Sequence, residues 1–180
     1  QTAQLIARRV RELGVFATLV RPDISAEELR AMKPRGIILS GGPASVYDEG
    51  APAMDPAVLD LGVPVLGICY GMQLACKLLG AQVTRAQRRE FGRATLDLRD
   101  QSDLLASLPA RTVVWMSHGD QVSNLGAAHL TPIAATETCS YAAVRSSEPG
   151  RTFFGVQFHP EVTHTPHGVD MLRNFLYEAC

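Results

Sequence analysis

Cys69 stands two residues from a glycine on either side, in the segment Gly67-Ile68-Cys69-Tyr70-Gly71. The apolar run Val63–Ile68 leads into it, and the helical pattern Met72–Leu79 leads away. A strand, a glycine-flanked nucleophile and a helix in that order make the thiol version of a nucleophile elbow. The glycines permit a tight turn, and the helix N-terminus favours thiolate over thiol. A thiol nucleophile needs a base and a group that orients the base. His159 follows the strand-like run Phe153–Phe158, so it is placed at a strand's C-terminal end, where open α/β sheets bind ligands. Glu161 lies two residues on, within reach of the imidazole N–H, and completes a Cys-His-Glu triad with Cys69 and His159.

Acyl chemistry also needs donors for a tetrahedral oxyanion. The backbone N–H of Tyr70 follows the nucleophile directly, and Gly42 in Ser40-Gly41-Gly42-Pro43 is the expected second donor. A third polar cluster, Ser117, His118, Gly119 and Asp120, follows the strand-like run Thr112–Met116 and could hold the polar end of a substrate. His118 competes with His159 as base, but only His159 has a carboxylate beside it. His164 and His167 are expected at the surface around the last helix's start. Neither pairs with His159 at the i, i+4 spacing of a zinc-binding helix, so no metal site is expected.

These residues need a scaffold that ends strands along one edge. Thr2–Leu13 has helical spacing, Val15–Val20 reads as a strand, and Ser25-Ala26-Glu27-Glu28 is a capping box opening a helix to about Met32. Gly36–Ser40 reads as a buried strand. Asp55-Pro56 pairs an N-cap with proline at the first helical position. The alternation predicts an α/β fold of three layers, with a mostly parallel central sheet and helices on both faces. The second half adds closely spaced strands at 94–99, 112–116, 131–135, 141–145 and 152–158, some of them antiparallel. An amphipathic helix over 166–179 closes the chain, with Val169, Leu172, Phe175 and Leu176 inward. A pattern of this kind should open on a strand, so residues are expected ahead of Gln1.

The 180 residues suit one domain with a substantial core, and 46% are hydrophobic. A formal net charge of −1 gives no general attraction to nucleic acid or anionic membrane. No apolar run is long enough for a membrane span. Cys69, Cys76, Cys139 and Cys180 form no CxxC pair, which fits reduced thiols in the cytoplasm.

Taken together, Ser40-Gly41-Gly42-Pro43, Gly67-Ile68-Cys69-Tyr70-Gly71-Met72-Gln73 and Phe158-His159-Pro160-Glu161 resemble the motifs of the class I, or triad, glutamine amidotransferase family. The likeness covers nearly the whole chain. Arg89-Glu90-Phe91-Gly92, Trp115–Asp120 and Gly155–Thr165 narrow it to the GMP synthetase branch. The resemblance implies attack of Cys69 on the side-chain amide of L-glutamine, with Gln73 and Ser117–Asp120 holding the amino-acid end. It implies no cofactor in this domain. ATP and Mg2+ would belong to an ATP-pyrophosphatase partner domain or subunit, of which this chain shows no phosphate loop. The family's opening strand and its Gly-Ser-Gln-Tyr-like turn would be represented here only by Gln1-Thr2. Other readings are a glutaminase serving anthranilate or CTP synthase, a γ-glutamyl hydrolase or thiol peptidase, and a binding module without activity.

Overall fold

The computed structural model describes all 180 residues. Helix α1 (Thr2–Glu12) and helix α2 (Ala26–Met32) come first. Both bonds of the expected capping box open α2: the Ser25 hydroxyl accepts from the Glu28 N–H, and the Glu28 carboxylate accepts from the Ser25 N–H. The chain then alternates strand β1 (Ile37–Leu39), strand β2 (Val65–Ile68) and helix α3 (Tyr70–Leu78). Strands β3 (Gln82–Leu98), β4 (Arg111–Asn124), β5 (Leu130–Ala135), β6 (Ala143–Ser146) and β7 (Phe153–Val156) follow, before helix α4 (Gly168–Asn174).

One seven-stranded sheet holds the order β1-β2-β7-β6-β5-β3-β4. Strands β1, β2 and β7 are parallel, and the rest join as antiparallel pairs, as the crowded second half of the sequence predicts. Alternation along β2 and β7 sorts side chains to two cores. Leu66, Ile68, Phe154 and Val156 pack with Ile6 and Val10 of α1 and with Met171 and Leu172 of α4. Val65 and Phe153 pack on the opposite face with Met72, Ala75 and Cys76 of α3. The sheet is thus covered on both sides, and the site sits at the C-terminal ends of β2 and β7.

Five local expectations are corrected. Val15–Val20 forms no strand and joins no ladder; with Ile37 and Ile38 of β1 it lines an apolar cavity of about 690 Å³. Strand β1 is half-buried rather than buried, having β2 on one edge only. The helix expected after Asp55 is a short 3-10 helix, Pro56–Asp60, which Asp55 caps by accepting from the Ala57 N–H at 3.0 Å. The last helix starts at Gly168 rather than Pro166 and widens from α4 into a π-helical turn over Phe175–Ala179, and Val169 faces outward at 40% exposure rather than inward. Finally, Ser117–Asp120 does not follow a strand but lies within the long β4.

Candidate active site

The Cys69 backbone adopts φ 51° and ψ −108°, a left-handed conformation that side chains seldom accept. Such a residue costs about 1–3 kcal/mol and persists only where its surroundings hold it. Here the Cys69 N–H donates to the Val156 carbonyl at 2.8 Å, extending the β2–β7 ladder one residue past the strand. Its carbonyl accepts from the Gln73 N–H at 3.0 Å, which starts α3. Two neighbours make the sharp turn possible. A Cβ on Gly67 would stand 2.8 Å from the Met72 backbone, and one on Gly71 would stand 2.3 Å from the Leu39 carbonyl oxygen. The flanking glycines therefore serve close packing of α3 on β1 and β2, in addition to the turn itself.

His159 is pinned from β4. Its N–H donates to the Trp115 carbonyl at 3.0 Å. The Thr165 hydroxyl donates to the His159 carbonyl at 2.7 Å and accepts from the Trp115 N–H at 3.1 Å. Nδ1 donates to Glu161 Oε1 at 2.7 Å, which leaves Nε2 for the thiol. The Glu161 side chain is 1% exposed, and its other oxygen has no partner, so His159 is the main counter-charge to this carboxylate. Arg9 Nε holds the Glu161 carbonyl at 3.0 Å. Burial alone would favour a neutral His159 ring, but hydrogen bonds to Cys69 and Glu161 and their negative charges win, and its pKa is raised to about 10. The ring is therefore an imidazolium at neutral pH, with a proton to give.

Cys69, His159, Gly42, Gln73, Ser117, His118, Gly119 and Asp120 line one cavity of about 580 Å³. Tyr70 is buried beside it, and its N–H heads α3, where no residue of the helix can accept it. A Cβ built on Gly42 meets nothing within 4 Å, so that loop leaves open space at the cavity. Arg85, Arg89, Asp48 and Asp120 also line this cavity, so its walls carry both signs of charge. His118 does not compete as base: its side chain is 1% exposed, and Nε2 is bonded to Glu90 at 2.8 Å. His164 stacks on Trp115 with ring centroids 4.5 Å apart, and His167 bonds Asp170 at 3.0 Å.

Gln157 is a site residue that the sequence motifs do not single out. It is fully buried, donates to Cys69 Sγ at 3.6 Å, and accepts from Gln73 Nε2 at 3.1 Å. Gln73 Nε2 also donates to the Asp120 carbonyl at 2.8 Å. The available signal is a lone amide side chain at the end of the apolar run Phe153–Phe158, where a buried polar group needs partners. Burial raises the other thiols: Cys76 and Cys139 to about 12, the latter with help from Glu90, and Cys180 to about 11.

An elbow cysteine, a histidine and a glutamate at the ends of parallel strands in a three-layer sheet define a triad hydrolase or transferase acting on an acyl group. The chain belongs to the class I glutamine amidotransferase family, whose model matches residues 1–179. It is 52% identical over all its residues to a GMP synthase [glutamine-hydrolyzing] of Macrococcus caseolyticus and 51% identical to that of Heliobacterium modesticaldum. It spans 34% of the length of each of these curated relatives. Among solved structures, a Thermoplasma acidophilum protein assigned as a GMP synthase subunit superposes with a TM-score of 0.80 at 31% identity, over 98% of this chain and 87% of that one. A glutamine amidotransferase of Thermotoga maritima shares the fold, with a TM-score of 0.68 at 24% identity, covering 97% of this chain and 75% of that one.

Proposed function

We propose that this chain is the glutaminase part of a GMP synthase. It hydrolyses L-glutamine to glutamate and ammonia, and a partner domain or subunit consumes the ammonia in converting XMP to GMP. The observation that carries the reading is the joining of Cys69 and His159 in a cavity whose walls bear both charges, with Glu161 buried behind the ring and bonded to it. Cys69 Sγ attacks the side-chain amide carbon, and the Tyr70 and Gly42 N–H groups receive the oxyanion. His159 gives its proton to the departing nitrogen, and ammonia leaves a γ-glutamyl thioester. The ring, now neutral, takes a proton from water as the water attacks the thioester, the C–S bond breaks, and glutamate leaves with Cys69 restored as thiolate beside the imidazolium. Glu161 keeps the ring oriented throughout. Gln73 and Ser117–Asp120 form the wall for the amino-acid end.

ATP and Mg2+ belong to the partner's ATP-pyrophosphatase chemistry, and this domain's own steps need no cofactor. The exposed Arg88 and Arg93 beside Arg85 and Arg89 suit a partner face that carries acidic or phosphate groups. A cytoplasmic setting fits reduced cysteines, and no helix is long and apolar enough to cross a membrane.

Glutamate release from L-glutamine and from a γ-glutamyl dipeptide, with and without Cys69→Ala, tests the reading. Glutamine is expected to be hydrolysed slowly by the isolated chain, and the dipeptide not at all. Cys69→Ala is expected to lose the activity while keeping its circular dichroism spectrum. Activity retained in that variant, or peptide cleavage faster than glutamine hydrolysis, overturns the assignment.

A further inference from the structure

Beside the cavity, β3 and β4 pair irregularly. Arg85 faces Asp120 and Glu90 faces His118, so the residues Ala86–Arg89 of β3 span only Gly119 of β4. The bulge pushes the arginines outward and sets a carboxylate directly opposite a buried histidine. His118 Nε2 meets Glu90 Oε2 at 2.8 Å, and Nδ1 meets the Asp120 carbonyl oxygen at 2.9 Å. A carbonyl cannot donate, so Nδ1 carries a proton and donates it to Asp120, while Nε2 and the Glu90 carboxyl share the second hydrogen bond. Thr136 and Thr138 hydroxyls hold the other Glu90 oxygen. Glu90, His118 and Cys139 place their ligating atoms within 4.8 Å of one another. With both ring nitrogens committed to protein partners, however, no lone pair is left free for a metal ion.

The Asp120 carbonyl thus takes two donors, Nδ1–H of His118 and Nε2–H of Gln73 at 2.8 Å. Gln73 in turn bonds Gln157, which bonds the Cys69 sulfur. We propose that Glu90 and His118 form a positioning pair which fixes the Asp120 carbonyl and, through it, Gln73, and so sets the grip on the amino-acid end of the substrate. The proposal rests on the glutaminase reading above. It places the pair's effect on substrate affinity and not on the reactivity of the thiol, since no ring nitrogen of His118 is free to touch Cys69.

The test uses two replacements that mimic opposite ends of the imidazole. Asn at 118 presents its amide N–H near the Nδ1 position and keeps the bond to Asp120. Gln at 118 presents it near the Nε2 position and keeps the bond to Glu90. Labelling of Cys69 by 6-diazo-5-oxo-L-norleucine, followed by intact mass, gives a half-saturating concentration and a limiting rate. Alkylation by iodoacetamide reports the thiol alone. His118→Gln is expected to raise the half-saturating concentration at least about tenfold and His118→Asn no more than about threefold. The iodoacetamide rate is expected to change less than about twofold in both. The reverse order, or equal loss in both reagents, overturns the pair's role. If His118→Gln does not fold, the wild-type protein decides: a slowly exchanging Nδ1–H proton on His118 is expected by NMR, and its absence overturns the proposal. Failure of the wild type to be labelled saturably would instead defeat the glutaminase reading.

Discussion

Gly71 is where the site's geometry is most exposed to a single methyl group. It is the second residue of α3, and its φ lies in the ordinary range, so Ala brings no backbone strain there. Its Cβ, however, would lie 2.3 Å from the Leu39 carbonyl oxygen and 2.6 Å from both the Leu39 carbonyl carbon and its Cβ. The first contact must open by about 0.7 Å to reach even 3.0 Å, the shortest separation that Cβ atoms tolerate. Two of the three atoms are backbone, so no rotamer change relieves the clash. Helix α3 must lift from β1, or the end of β1 must bend. Overpacking of this kind costs about 1–3 kcal/mol, which for a domain of this size lowers Tm by about 2–12 °C. The same shift moves the Tyr70 N–H relative to the Gly41-Gly42 loop, which β1 carries. A displacement near 1 Å costs up to about a hundredfold in rate when reacting groups must align. Thermal unfolding and the glutaminase rate of Gly71→Ala read the two effects, with Gly42→Ala as the stability contrast. The Gly42 methyl meets nothing within 4 Å, so its Tm is expected to hold or rise by a few degrees, roughly the entropic benefit of replacing glycine. If Gly71→Ala keeps Tm within about 1 °C and activity within about twofold, the tight seating of α3 on β1 is not what positions the elbow.

Cys69 is expected to be the one cysteine alkylated by brief iodoacetamide treatment at pH 7.5, because thiols raised to about 12 or 11 hold almost no thiolate there. Peptide mapping checks this, and comparable labelling of Cys76 or Cys139 contradicts it. For stability, the His159 pKa is about 10 in the fold against an ordinary 6.5, so its contribution is complete below about 6.5 and is lost as pH rises through about 10. Urea unfolding of the wild type and of His159→Asn from pH 6 to 10.5 should show the wild type's advantage shrinking with pH. An advantage that grows with pH would reverse the assigned sign.

The triad is legible in the sequence because each of its motifs is local. Cys69 announces itself through glycines two residues away, and Glu161 lies two residues from the ring that it orients. The parallel strands are legible for a related reason. Buried on both faces, β2 and β7 read as unbroken apolar runs in the sequence. What escapes depends on distant partners. Gln157 matters only because a sulfur 88 positions earlier comes within 3.6 Å of it, and nothing in its neighbours reveals that. Val15–Val20 has the composition of a strand but no partner within the sheet, and composition is silent about pairing.

The hairpin of β3 and β4 shows why the rest of the site is hard to read from sequence. It lies at the far end of the sheet, where β4 has β3 on one side and solvent on the other, and much of β3 is exposed on both faces. There the alternation that marks a strand disappears into arginines, so the sequence marks strands only at 94–99 and 112–116. It presents Ser117–Asp120 as the loop beyond a strand. Inside the strand, the same residues acquire a fixed register against Arg85 and Glu90. That register turns His118 away from catalysis and toward Glu90, and gives the Asp120 carbonyl the two donors that a free loop would leave to water. The polar wall of the substrate cavity is therefore held by a sheet ladder from behind, while the triad is held by turns in front. A change in the arginine-rich bulge has a direct mechanical path to the proposed amino-acid subsite through Glu90, His118 and Asp120, and reaches Cys69 only through Gln73 and Gln157.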